Sequence, residues 1–131
     1  MLNEHQITFR VRYPETDAMG VVHHSRYLQY LEMGRVELLR ASGYSYVKLE
    51  MEGIFFAVVK VECRYRAPAR FDDELTLTTR IARRTHVRID HEYALKRGET
   101  LIADARTTIA CVDRQGALRQ IPEEVPGGTV V

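Results

Sequence analysis

The sequence predicts an α+β fold in which one long helix packs on a five-stranded antiparallel sheet. Three observations carry this. One stretch, about 24–42, has helical spacing and recognisable ends, and five others alternate apolar and polar residues with the period of a strand. The later strands are joined by connections short enough to be hairpins, which makes the sheet antiparallel and leaves the helix to cover one face.

Residues 6–13 place Ile7, Phe9, Val11 and Tyr13 on one face and Thr8, Arg10 and Arg12 on the other, a strand with one wet face. Pro14 ends it and keeps Tyr13 extended. A loop follows from Glu15 to His23, with Gly20 supplying backbone freedom. The helix starts at His24 or Ser25, with Ser25 as its N-cap, and stops at Gly43; Arg40 suits the negative end of the dipole. Its apolar stripe is Tyr27, Leu28, Leu31, Leu38 and Leu39. Gly34 in mid-helix costs about 1 kcal/mol relative to Ala, so it predicts a second backbone packed close by.

Alternation then resumes. Val59, Val61, Cys63 and Tyr65 oppose Lys60, Glu62, Arg64 and Arg66; Leu75, Leu77, Thr79 and Ile81 form the next row. Val87, Ile89, His91, Tyr93 and Leu95 oppose Arg88, Asp90 and Glu92, and Leu101, Ala103, Ala105, Thr107, Ile109 and Cys111 close the sheet. Lys96-Arg97-Gly98-Glu99 and Asp113-Arg114-Gln115-Gly116 read as turns, and the tail from Ile121 to Val131 as irregular.

The length of 131 residues fits one domain, 1–131. A net charge of +1 excludes a general nucleic-acid surface, although Arg80, Arg83, Arg84 and Arg88 suffice for one polyphosphate. No apolar run is long enough to span a membrane, and Met1–His5 lacks the basic and apolar blocks of a signal peptide, so the cytoplasm is expected. There Cys63 and Cys111 read as small buried hydrophobes. His23, His24, His86 and His91 match no usual zinc spacing, so no metal is expected. His91, on the apolar row of its strand, reads as a core histidine with its hydrogen bonds satisfied.

The segment Val11-Arg12-Tyr13-Pro14-Glu15-Thr16-Asp17-Ala18-Met19-Gly20-Val21-Val22-His23-His24-Ser25-Arg26-Tyr27 resembles the signature of the hotdog thioesterases. The nearest groups are the 4-hydroxybenzoyl-CoA thioesterases and the short-chain acyl-CoA thioesterases associated with the Tol-Pal system. Tyr65-Arg66-Ala67-Pro68-Ala69-Arg70-Phe71-Asp72-Asp73 is similar to that family's strand-to-strand turn, and the likeness runs over roughly residues 6 to 113. The resemblance implies a long helix wrapped by a curved sheet. It also implies dimers, or dimers of dimers, with sites at the subunit interface. It implies acyl-CoA hydrolysis without metal or cofactor, CoA being part of the substrate.

Thioester hydrolysis needs a group that attacks the carbonyl carbon or activates water, and donors for the oxyanion. Asp17 precedes a helix start, whose free N–H groups and positive dipole end are such donors. Two roles fit Asp17: nucleophile, through an anhydride, or general base for water. The resemblance makes the backbone N–H of His24 a donor to the thioester oxygen and its side chain an orienter of carboxylate or water; His23 is left to packing or surface. CoA needs a basic mouth and an apolar channel. Arg83 and Arg84, at a strand end, are candidates for its phosphates, with Lys60 contributing from a polar strand face. Ile54, Phe55 and Phe56 stand where the family's acyl pocket is lined, and equally suit the core. The competing readings are a hotdog hydratase or dehydratase, a non-catalytic acyl-CoA-binding regulator, and an acyl-carrier-protein thioesterase.

Overall fold

The computed structural model describes residues 2–125. Strands β1 (Glu4–Arg10), β2 (Phe55–Tyr65), β3 (Glu74–Arg84), β4 (Arg88–Arg97) and β5 (Thr100–Val112) form one antiparallel sheet in the order β1-β3-β4-β5-β2. Helix α1 (Arg26–Ala41) packs on β1 and β3, and a short helix α2 (Tyr46–Met51) follows it. Hairpins join β3 to β4 and β4 to β5; Lys96–Glu99 forms the second, with Gly98 at a positive φ, whereas Asp113–Gly116 follows the last strand and leads only to an isolated bridge, Val112 to Leu118. The part of the expected irregular tail beyond residue 125 lies outside the described residues.

The core divides along the helix. Near its start, Tyr27, Tyr30 and Leu31 meet Leu75, Leu77, Tyr93 and Leu95 of the sheet. Near its end, Leu38 and Leu39 meet Ile81, Ile89 and Ile109, with Ile121 and Val125 of the tail closing the cluster. Each fully buried aliphatic side chain contributes about 1.5–3 kcal/mol. Between the clusters lies Gly34. A Cβ there would collide with Thr79 Oγ1 and come within 2.8 Å of Leu77 Cδ2, so what crowds this glycine is not a second backbone, as expected, but two side chains of β3.

Several local readings are corrected. The first strand ends at Arg10 rather than residue 13, because Tyr13–Glu15 forms a 3-10 turn that leaves Tyr13 exposed. Ser25 occupies the N-cap position but does not cap: its backbone is already helical, and its hydroxyl contacts His23 Nδ1 at 2.8 Å. Leu28 is exposed, while Tyr30 and Arg35 take buried places on the helix. Helix α2, capped by the Ser45 side chain, was not expected at all.

Three irregularities shift the rows; the one in β5 passes from Leu95↔Ala103 to Lys96↔Leu101 and leaves Ile102 extra and buried. In β2 the register passes from Val58↔Ile109 to Lys60↔Thr108, making Val59 an extra residue. In β3 it passes from Ile81↔His91 to Arg83↔Asp90, making Ala82 extra. An extra residue exchanges the two faces of everything beyond it. Arg84 therefore lies opposite Ile89 and turns inward. Strand β2 is a free edge of the sheet, and it carries exposed Val58, Val59, Val61 and Tyr65. Such an edge is a ready template for another strand.

Candidate active site

The loop that carries Asp17 is a small closed structure. Thr16 and Val22 bridge, Asp17 N–H donates to Val21 C=O at 2.8 Å, and Gly20, with φ 79°, turns the chain back. The Asp17 side chain is half-buried, and its Oδ1 accepts from the Met19 N–H at 2.8 Å and the Val21 N–H at 3.4 Å. Oδ2 has no hydrogen-bond partner among the described residues. The two motif segments of the sequence meet here: Val21 bridges Arg70, and Val22 N–H donates to Ala69 C=O at 2.8 Å. The second segment is itself held by Asp73, which accepts from Arg70 N–H and from Arg97.

The other half of the site is the start of α1. His24 is exposed, its ring stacks on His23 with centroids 4.2 Å apart, and its carbonyl accepts the Tyr65 hydroxyl at 3.1 Å. His23 Nδ1 takes the Ser25 N–H, and His23 C=O takes the Arg26 N–H. The His24 N–H has no acceptor among the described residues. The His24 ring and the Asp17 carboxylate make no hydrogen bond to each other. The Thr16–Val22 bridge and the bond from His23 N–H to Glu15 C=O tie the loop of this half-held carboxylate to the segment that leads into α1.

A residue missed in the sequence joins the two halves. Glu15 is 5% exposed, and its Oε1 accepts from Arg12 N–H at 2.8 Å and from the Tyr30 hydroxyl at 2.9 Å. Its Oε2 faces the Arg12 guanidinium at 3.3 and 3.4 Å, and its C=O accepts the His23 N–H. Burial pushes this carboxyl toward its neutral form, but the hydrogen bonds from Arg12 and Tyr30 and the Arg12 charge outweigh it, holding the pKa below the ordinary value. The Tyr30 hydroxyl is pushed upward by burial and by that same carboxylate. The signal was present: an acid three residues after Arg12 has capping-box spacing, and a tyrosine on a buried helix face needs a partner.

The residues expected to meet CoA separate. Arg83 is exposed at the end of β3. Lys60 sits among Glu62, Asp90, Glu92 and Arg106, its Nζ 3.6 Å from Glu62. Arg84 does not face a ligand. It is 2% exposed, and its guanidinium donates to the carbonyls of Ile121, Pro122, Glu123 and Val125. The bulge at Ala82 turned it inward, and the tail uses its donors. Ile54 is core, whereas Phe55 and Phe56 are half-buried and line a groove of about 360 Å³ with Glu32, Arg35, Val36, Tyr46, Glu50, Val58 and Ile109.

His91 is buried, as expected, but not satisfied: its Nδ1 has no partner. Burial, and then the nearby Arg35 charge, lower its pKa to about 3. The buried Arg35 donates to the Tyr93 hydroxyl at 3.0 Å, which also contacts Thr107 Oγ1 at 2.6 Å. No group of three or more His, Cys, Asp or Glu side chains among the described residues is placed to hold a metal, and no described helix is long and apolar enough to cross a membrane.

Residues 11–127 match the model of the thioesterase-like superfamily. The chain belongs to that family. It is a thioester hydrolase with the hotdog fold, and its relatives share nearly its whole length. The acyl-CoA thioester hydrolase YbgC of Escherichia coli O157:H7 is 35% identical, over 92% of this chain and 89% of its own. The acyl-CoA thioesterase YbgC of Haemophilus influenzae is 34% identical, over 88% and 87%. Among solved structures, the hypothetical protein TT1821 of Thermus thermophilus superposes with a TM-score of 0.86 at 39% identity, covering 91% of this chain and 92% of that one.

Proposed function

We propose that this thioester hydrolase cleaves acyl-CoA to the free acid and CoA, with Asp17 as nucleophile or general base and the start of α1 at His24 polarising the carbonyl. One observation carries the reading. The Asp17 loop holds one carboxylate oxygen and leaves the other free, and the loop is tied through Glu15 C=O and the His23 N–H to the segment that leads into α1, where the His24 N–H is unanswered. As nucleophile, the free oxygen adds to the thioester carbon, CoA leaves as thiolate, and water hydrolyses the anhydride. As base, it takes a proton from the water that attacks. In both routes negative charge on the carbonyl oxygen is met by backbone donors and the positive end of the helix, a kind of contact worth about 3–4 kcal/mol per donor. The names of the E. coli and Haemophilus relatives support the choice of acyl-CoA.

We assign Arg83, exposed at the end of β3, and then Lys60 to the CoA phosphates, and the groove at Phe55 and Phe56 to the acyl group. We place the reaction in the cytoplasm. We also assign the free edge of β2 to pairing with a second copy, giving a dimer or a dimer of dimers with sites completed between subunits.

Asp17→Asn should lower kcat for acyl-CoA hydrolysis at least about a thousandfold without changing the melting temperature by more than a few degrees. Residual activity within a few-fold of the parent would remove Asp17 from the mechanism. A thiol-release screen over short, branched, aromatic and long acyl-CoAs, run beside acyl-carrier-protein and enoyl-CoA substrates, tests the substrate class. Binding without thiol release would replace the enzyme by a regulator.

A further inference from the structure

We infer that Glu15 is a positioning residue: through its bond to Tyr30 it sets where the Asp17 carboxylate stands relative to the start of α1. The inference rests on the proposed role of Asp17 and goes beyond it to a residue that no substrate can touch.

The hydrogen bonds of this one residue reach both halves of the site. Its side chain takes the hydroxyl of Tyr30, in the second turn of α1, at 2.9 Å. Its main-chain carbonyl takes the N–H of His23 at 2.9 Å, one residue before His24. Its own N–H closes the 3-10 turn onto Arg12 C=O at 3.0 Å. Asp17 follows two residues later, tethered by the Thr16–Val22 bridge. The carboxylate loop and the helix therefore share a common anchor. Tyr30 is itself immobile: it is 1% exposed, and its ring packs against Phe9 at 4.7 Å and Tyr27 at 5.9 Å between centroids.

An ionised carboxylate is an expensive way to hold two elements together if stability alone is at stake. Apolar replacements of buried ionic groups are often neutral or stabilising. A hydrogen bond to a charged acceptor is short and directional, whereas apolar packing permits sliding. What a charged acceptor adds at this place is registration between two segments. Reaction geometry is where registration matters, since a misplacement of about 1 Å can cost about a hundredfold in rate.

The test uses the full chain, three single variants and one double variant. Tyr30→Phe removes one oxygen and keeps the ring packing; Glu15→Gln keeps the shape and removes the charge. Both should lower kcat by about tenfold or more with KM within about twofold. The double variant should lose less than the product of the two single losses, because Tyr30→Phe removes the donor of the bond whose acceptor Glu15→Gln weakens. Ile89→Val, in the far core cluster and away from the Phe55 groove, provides a comparable modest drop in melting temperature and should leave kcat within twofold. Should Glu15→Gln not fold, Tyr30→Phe decides alone. A kcat within twofold of the parent in Tyr30→Phe, or a kcat loss that merely tracks melting temperature across all three variants, overturns the inference while leaving Asp17 in place if Asp17→Asn is inactive. An active Asp17→Asn would instead remove the reading beneath it.

Discussion

Glu15 and His91 are both titratable, both buried and both associated with the one long helix, yet they end in opposite charge states. Glu15 lies near the start of α1, where a backbone N–H, a tyrosine hydroxyl and a guanidinium converge on its two oxygens, and it stays ionised. His91 lies further along, where its Nδ1 meets no partner and the Arg35 charge opposes a proton on it; it stays neutral. The difference is one of supplied partners. Burial pushes each group toward its neutral form, and only where enough donors are aimed at a charge does the charge survive. The interior retains an anion beside the site and gives up a cation in the core.

Arg84 is the third member of this set, and it offers the largest expected effect. Its charge survives burial because four carbonyls of the tail face it. Arg84→Leu should cost about 2–4 kcal/mol in urea unfolding, since it leaves those carbonyls without their donors. A loss below about 0.5 kcal/mol would mean that partner supply is not what keeps such charges inside.

The pH dependence separates the other two. Glu15 has a folded pKa below its unfolded one, so its contribution is present above the unfolded value of about 4.3 and is lost as pH falls through the folded value. His91 titrates near 6.5 when unfolded and at about 3 when folded, so in that window the unfolded chain binds the extra proton. Stability should then fall as pH drops from about 6.5 toward 3, by up to about 1.4 kcal/mol per pH unit. Between pH 6 and 5 the histidine acts more strongly than Glu15. Urea unfolding across that interval should show a flatter slope for His91→Leu than for the parent; equal slopes would break the contrast.

The smallest effect concerns Thr79, whose buried hydroxyl has no partner. Thr79→Val should raise stability by about 0.5–1 kcal/mol, as removal of an unanswered polar group does. A loss of stability on thermal melting would show that the hydroxyl is answered in solution.

Much of this architecture was readable in the sequence because periodicity reports which face is buried. The rows Leu75–Ile81 and Ile89–Leu95 were legible for that reason, and Gly34 announced its own close contact. Bulges hide from such a reading. Ala82 looks like any small strand residue, yet it turns Arg84 from a candidate phosphate ligand into the anchor of the tail. Of the candidate site, Asp17 and His24 belong to a spaced motif, whereas the tie between Glu15 and Tyr30 spans fifteen positions and shows in no local pattern. His91 was placed in the core correctly, but whether a core histidine is satisfied depends on neighbours from other strands.

The missing side chain at position 34 reaches further than its own contact. With main chain seated directly on Thr79, the helix has a fulcrum there. His24 lies ten residues up the axis, roughly 15 Å away. Any larger residue at the pivot would tip the rod, and about four degrees of tip would swing its free end by about 1 Å, the scale at which reaction geometry fails. A substitution remote from the chemistry could thus silence it while leaving every side chain of the site in place.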